Sequence, residues 1–184
     1  MMYDLPKSLE VCGVNYEIRS DYRAVLDICA ALSDAELSDE EKAYVALDIM
    51  YSDFKAMPPE HYAEAIKQCF WFINCGTEDE PRRKNPRLMD WTQDFQYIVA
   101  PVNRVIGTEI RAVEYLHWWS FISAYYEIGD CVFAQIVRIR DKKARGKPLD
   151  KQEQDWYSQN RHMVDFKKTY TDSEKSILKE WGMA

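Results

Sequence analysis

Val113-Glu114-Tyr115-Leu116-His117-Trp118-Trp119-Ser120-Phe121-Ile122-Ser123-Ala124-Tyr125-Tyr126 is the stretch on which the fold turns. Between positions 109 and 128, Tyr115, Trp119, Ile122 and Tyr126 recur at helical spacing on one face, and Phe121, Ala124 and Ile128 recur on another. This predicts a single helix over 109–128, apolar on most sides. Such a helix is either central to a core or covered by another chain. Both readings stand at this level, and an interface would include the Trp118–Trp119 end. The apolar segment 115–126 is too short for the ~20 residues that cross a bilayer.

Upstream, Phe95, Ile98, Val99, Val102 and Ile106 form a second helical stripe, opened by Asp90 with Gln93. Pro101 lies inside it, which predicts a kink or break. The stretch 77–87 contains no apolar residue and reads as a surface loop. Before it, Tyr62, Ile66, Cys69, Phe70 and Ile73 predict a helix stopping near Gly76, with Trp71 roughly opposite that stripe. Trp71 contacts either another element of the chain or a partner. Ser38-Asp39-Glu40-Glu41 is a capping box. Its helix carries Ala43, Leu47, Met50 and Phe54 and is closed by Pro58-Pro59, while Tyr22, Val25, Leu26 and Cys29 mark the helix before it. At the start of the chain, Leu9 and Val11, then Val14, Tyr16 and Ile18, alternate with polar residues around Gly13, the pattern of a β-hairpin.

Downstream, Phe133, Ile136 and Val137 lead into a basic run: Arg138, Arg140, Lys142, Lys143, Arg145, Lys147 and Lys151. Gly146 and Pro148 predict a loop there, either a solvated connector or a contact for an acidic surface. Asp150 with Glu153 caps a helix carrying Trp156, Met163 and Phe166, and Thr171 with Glu174 caps a last one carrying Ile177, Leu178 and Trp181. The expected fold is therefore mainly α: a multi-helix domain with a small N-terminal β-hairpin. Its expected division is a main helical domain over 1–137, a basic connector over 138–149 and a C-terminal helical extension over 150–184.

The chain has 184 residues, a net charge of −7 and five cysteines scattered without short pairings. An acidic chain is a poor general ligand for phosphates, so nucleic acid is not expected as a partner. The cysteine pattern predicts reduced thiols, and no metal or other cofactor is expected. The three histidines, His61, His117 and His162, belong to no metal-binding or protease pattern. The six glycines are isolated, with no phosphate-cradling loop and no nucleophile elbow. Nothing favours an enzyme. Aromatic residues make up 14% of the chain, a surplus that serves either a packed core or a partner surface. The candidate partner-binding residues are Trp71, Tyr115, Trp118, Trp119, Arg138 and Arg140.

Several strings occur in an order that resembles a known family. They are Leu5-Pro6-Lys7-Ser8, Val11-Cys12-Gly13-Val14-Asn15-Tyr16-Glu17-Ile18, Asp21-Tyr22-Arg23 and Leu37-Ser38-Asp39-Glu40-Glu41-Lys42. Phe70-Trp71-Phe72 with Cys75-Gly76, Asp94-Phe95-Gln96-Tyr97-Ile98 and Val113-Glu114-Tyr115-Leu116-His117-Trp118-Trp119 complete the set. Together they resemble the phage gene-product-fifteen family of tailed phages and prophages of Gram-positive bacteria. The resemblance implies a gene between those of the major tail protein and the tape-measure protein. That place implies a tail-assembly chaperone acting in the host cytoplasm, with the tape-measure protein or another tail protein as partner. The alternative is a structural tail-completion or connector component retained in the virion. Self-association as a homo-oligomer is left open, and no membrane partner is expected.

Overall fold

A computed structural model describes residues 4–77 and 85–167. Two antiparallel strands, β1 (Ser8–Val11) and β2 (Val14–Glu17), open the chain. Their two-residue turn places Cys12 at φ 51° and Gly13 at φ 78°. Positive φ at both central residues matches the right-handed twist of the strands. Leu9 and Val11 point into the core, while Ser8 and Glu10 face solvent.

Helices α1 (Tyr22–Ser33) and α2 (Asp39–Met50) pack against each other. Asp21 caps α1, and the Ser38–Glu41 box caps α2 with both reciprocal bonds formed. The expected α2 stripe stops short of Phe54. The helix ends at Met50 because Tyr51 turns to an extended conformation and bridges Ile18, and Phe54 then opens a short 3-10 turn (Phe54–Ala56). After a second 3-10 turn (Pro59–His61), α3 (Tyr62–Ile73) buries Ala65, Cys69 and Phe72. Its inner face is thus rotated from the expected stripe, for the hairpin and α2 cover it from one side.

Helix α4 (Trp91–Ile106) runs through Pro101 without interruption. Proline removes only its own donor, and Pro101 is buried among the core residues of α4. Gly107, at φ 82°, ends the helix by donating to the Asn103 carbonyl at 2.7 Å.

The long helix expected over 109–128 does not form. Its first half is irregular, and α5 spans only Trp118–Tyr126. The reason is tertiary. The Asp21 carboxylate accepts the Leu116 N–H at 2.9 Å, and Arg23 donates to the carbonyls of Ile110 and Val113 at 3.2 and 2.7 Å. Tyr22 N–H donates to the Leu116 carbonyl, and Trp118 N–H to that of Ser20. Peptide groups that a helix would have paired internally are held by the entry to α1 instead.

The basic run divides. Residues 138–144 are helical, in α6 (Val132–Ala144), and only the turn before α7 (Lys151–Gln159) is irregular. Ile136 and Ile139 keep α6 helical by burial in a second, smaller cluster with Val164. The helix expected to carry Trp156, Met163 and Phe166 breaks at Asn160, giving a separate α8 (Arg161–Val164). Tyr97 on α4 borders both clusters, the larger one lying among the hairpin and α1–α6. The stretch 78–84 and the helix expected from Thr171 lie outside the described residues.

Candidate partner-binding surface

The six candidate residues occupy three different environments. Trp118 and Trp119 begin α5, where His117 caps the helix by accepting the Trp119 N–H on Nδ1 at 3.0 Å. The opposite ring nitrogen, Nε2, lies 3.0 Å from the Pro6 carbonyl. A carbonyl only accepts, so Nε2 carries the proton and Nδ1 is free to cap. Burial pushes the imidazole below its ordinary pKa, and Lys7 pushes it the same way, against the bond to Pro6. His117 is thus held neutral in one tautomer.

Trp118 is buried, at 2% exposure, stacked on Phe121 and edge-on to Trp91. As a partner contact it is corrected: the ring fills the core. Trp119 is half-buried. It stacks on Phe72, and Trp71 meets it edge-on with ring centres 5.7 Å apart. Gly76 passes so close that an added Cβ would lie 3.2 Å from Trp119 Cη2, which explains a glycine there beyond its φ of 80°. Trp71 and Trp119 therefore form one continuous, partly buried aromatic surface at the C-terminal end of α3. The opposite-face placement of Trp71 carries it to α5.

Tyr115 is 47% exposed, with its hydroxyl 2.7 Å from Ser20 Oγ and Lys7 over its ring. It stands at the edge of a cleft of about 690 Å³. Arg138 is exposed and makes one loose ion pair with Asp130 at 3.4 Å. Such a surface pair contributes about 0–1 kcal/mol and leaves Arg138 available to a partner.

Arg140 is the second correction. Its side chain is 4% exposed and all five of its N–H groups are used. Nη1 and Nη2 grip Asp94 at 2.6 and 3.0 Å, Nε donates to the Val164 carbonyl at 2.6 Å, and the carbonyls of Leu88 and Met163 take the remaining two. Phe166 stacks on the guanidinium at 4.1 Å. A guanidinium with no free donor has nothing left to offer a partner.

Sequence reasoning missed Tyr126, which is 76% exposed, and Tyr44, which is 55% exposed. Tyr126 sits on a stripe that reads as an apolar face and Tyr44 lies beside one, and periodicity alone carries no signal that separates them from core. It also missed the cleft, whose walls come from four separate segments of chain. Among the described residues no three histidines, cysteines or carboxylates are grouped as a metal site, and no helix is long and apolar enough to cross a membrane.

A family model described as Bacteriophage Gp15 protein matches residues 1–166. No curated protein and no solved structure matches the chain.

Proposed function

Because the chain belongs to the Bacteriophage Gp15 protein family, we propose that this phage protein acts in tail assembly as a chaperone for the tape-measure protein. On this reading it is a binding protein and not an enzyme, and it leaves before the tail is complete. The observation that carries the reading is the Trp71–Trp119 surface. Two large rings, tied to each other and to the backbone of α3, present apolar area with little conformational freedom to lose. A long helical client offers amphipathic faces, and a rigid aromatic ridge is a suitable contact for one. Tyr115 and Arg138, both exposed elsewhere on the chain, are available as further contacts for a long client.

Co-expression with the tape-measure protein tests it. The wild type keeps the tape measure in the soluble fraction and co-purifies with it. Trp71→Ala combined with Tyr115→Ala leaves the fold intact by circular dichroism but releases the client. A tape measure equally insoluble with and without the chain overturns the proposal. So does finding the chain at stoichiometric levels in purified virions, which is the expectation for a retained tail-completion or connector component.

A further inference from the structure

We propose that a trough beside the hairpin receives the basic turn at residues 145–151 of a second copy of this chain, so that copies associate head to tail. The trough comprises the cleft of about 690 Å³ and a neighbouring one of about 360 Å³, which share Arg19 and Ser52 as lining residues. Its floor includes apolar Ile18, Ala24 and Ile49, and its first wall is Tyr115.

Three of the four cations of the trough are already engaged, and the fourth, Lys55, is exposed with no ion pair among the described residues. Arg19 donates to the carbonyls of Asp48 and Ile49 at the end of α2, and Arg23 pairs with Asp21 at 3.1 Å. Lys7 lies over the Tyr115 ring. Four exposed carboxylates along the trough, those of Glu17, Asp27, Asp48 and Asp53, make no ion pair among the described residues. Against these four carboxylates stands the one unpaired Lys55, so the trough keeps an excess of negative charge above its apolar floor.

The complementary element lies on the same chain. Residues 143–148 are all exposed, the longest such run among the described residues. Most cations near it are neutralised locally: Lys142 by Glu153, Lys143 by Asp165 and Arg145 by Asp141. Lys147 and Lys151 are paired with nothing among the described residues and flank Pro148, whose ring restricts the turn. The turn follows α6, which packs on α4 and α8, whereas the trough is built on the hairpin, α1 and α2. One copy thus carries a donor and an acceptor at separate places, the arrangement that yields head-to-tail association. The −7 net charge opposes assembly at long range. Salt screens that repulsion beyond about 8 Å at physiological ionic strength, while charges brought into contact are screened less.

Sedimentation of the whole chain over a concentration series tests the proposal, and its outcome does not depend on any tape-measure protein. The wild type self-associates, more weakly in 1 M salt. Lys147→Glu with Lys151→Glu weakens association roughly tenfold or more, as does Asp27→Lys with Asp53→Lys. Mixing the two charge-reversed proteins restores association, because the unaltered turn of the trough variant fits the unaltered trough of the turn variant, and the acidic turn of one fits the basic trough of the other. All four positions are exposed, and unchanged melting curves confirm that the variants are folded. A wild type that sediments as a monomer at every concentration overturns the proposal. Association that survives both reversals, through some other surface, also overturns it.

Discussion

Trp118 and Trp119 are consecutive at the start of α5, and they donate their indole N–H groups to consecutive carbonyls of α3, those of Ile73 and Phe72, each at 2.9 Å. The last four carbonyls of a helix have no partner within it. In α3, Asn74 N–H takes Phe70, Gly76 N–H takes Trp71, Cys75 N–H shares Phe72 with Trp119, and Trp118 takes Ile73, to which the Cys75 thiol also donates at 4.0 Å. Two tryptophans of one dipeptide thus close another helix.

Their truncations differ in cost. Trp118→Ala opens a cavity in the core and leaves the Ile73 carbonyl only the long thiol bond from Cys75, so it destabilises the protein by about 3–5 kcal/mol. Trp119→Ala empties a half-exposed site and leaves the Phe72 carbonyl its bond from Cys75, at about 1–2 kcal/mol. Urea unfolding followed by circular dichroism measures both. Equal losses would contradict the assignment of one ring to the core and the other to the surface.

Arg140→Met removes one half of a buried pair. It leaves the Asp94 carboxylate, at 0% exposure, with only the Asp90 N–H in place of the guanidinium fork. The expected loss is about 3–5 kcal/mol. Removing both charges with Asp94→Leu and Arg140→Met costs less than the single change, since no buried charge is then stranded. A double-mutant cycle by chemical denaturation supplies the comparison.

Asp21→Ala tests what keeps residues 109–117 out of a helix. The carboxylate caps α1 through the Arg23 N–H at 3.0 Å and also holds Leu116 N–H. Loss of the cap alone is worth about 0.5–2 kcal/mol. Hydrogen exchange should quicken at Leu116 along with the first turn of α1. Exchange confined to α1 would mean that the crossing segment stands without Asp21.

His117 makes stability depend on pH in a defined direction. Its folded-state pKa is lowered below the ordinary 6.5, so the unfolded chain binds the proton more readily. Its contribution is fully present above about pH 6.5 and is lost as the pH falls through the lower folded value. Protonation also puts a hydrogen on Nδ1, where the Trp119 N–H now donates. Glu109, held at about 2 by its bonds to Arg111, titrates well below this window. The wild type should lose melting temperature between pH 7 and pH 5 more steeply than His117→Asn does. Parallel curves would remove His117 as the cause.

Cys12 is the exposed thiol of the hairpin turn, and its S–H donates to Glu64 Oε2 at 3.0 Å. That bond to the carboxylate raises the thiol pKa above its ordinary value, as do desolvation and the carboxylate charge. Burial pushes Cys29 and Cys75 up to about 11 and Cys69 up to about 12. Iodoacetamide at pH 8 should label Cys12 ahead of these three. Glu64→Gln should speed that labelling severalfold by freeing the thiolate, which is the reactive form. An unchanged or slower rate would count against the carboxylate's control of the thiol.

The hairpin, the mainly helical character and the helix starts at Asp21, Ser38, Asp90 and Asp150 were legible in the sequence. Each depends on residues within a few positions of one another: a turn that accepts positive φ, or a side chain that bonds an amide two or three residues on. The start of α5, the burial of Trp118 and the role of Arg140 were not legible. Asp21 acts on Leu116 from 95 positions away, and Arg140 finds Asp94 46 positions away. An apolar stripe is the same string of letters whether it faces a core or a partner, and a basic run is the same whether its cations are solvated or saturated. Local hydrogen bonding writes the elements into the sequence. Which polar group meets which across the core is decided by packing, where a buried donor must find its acceptor wherever the chain has placed it.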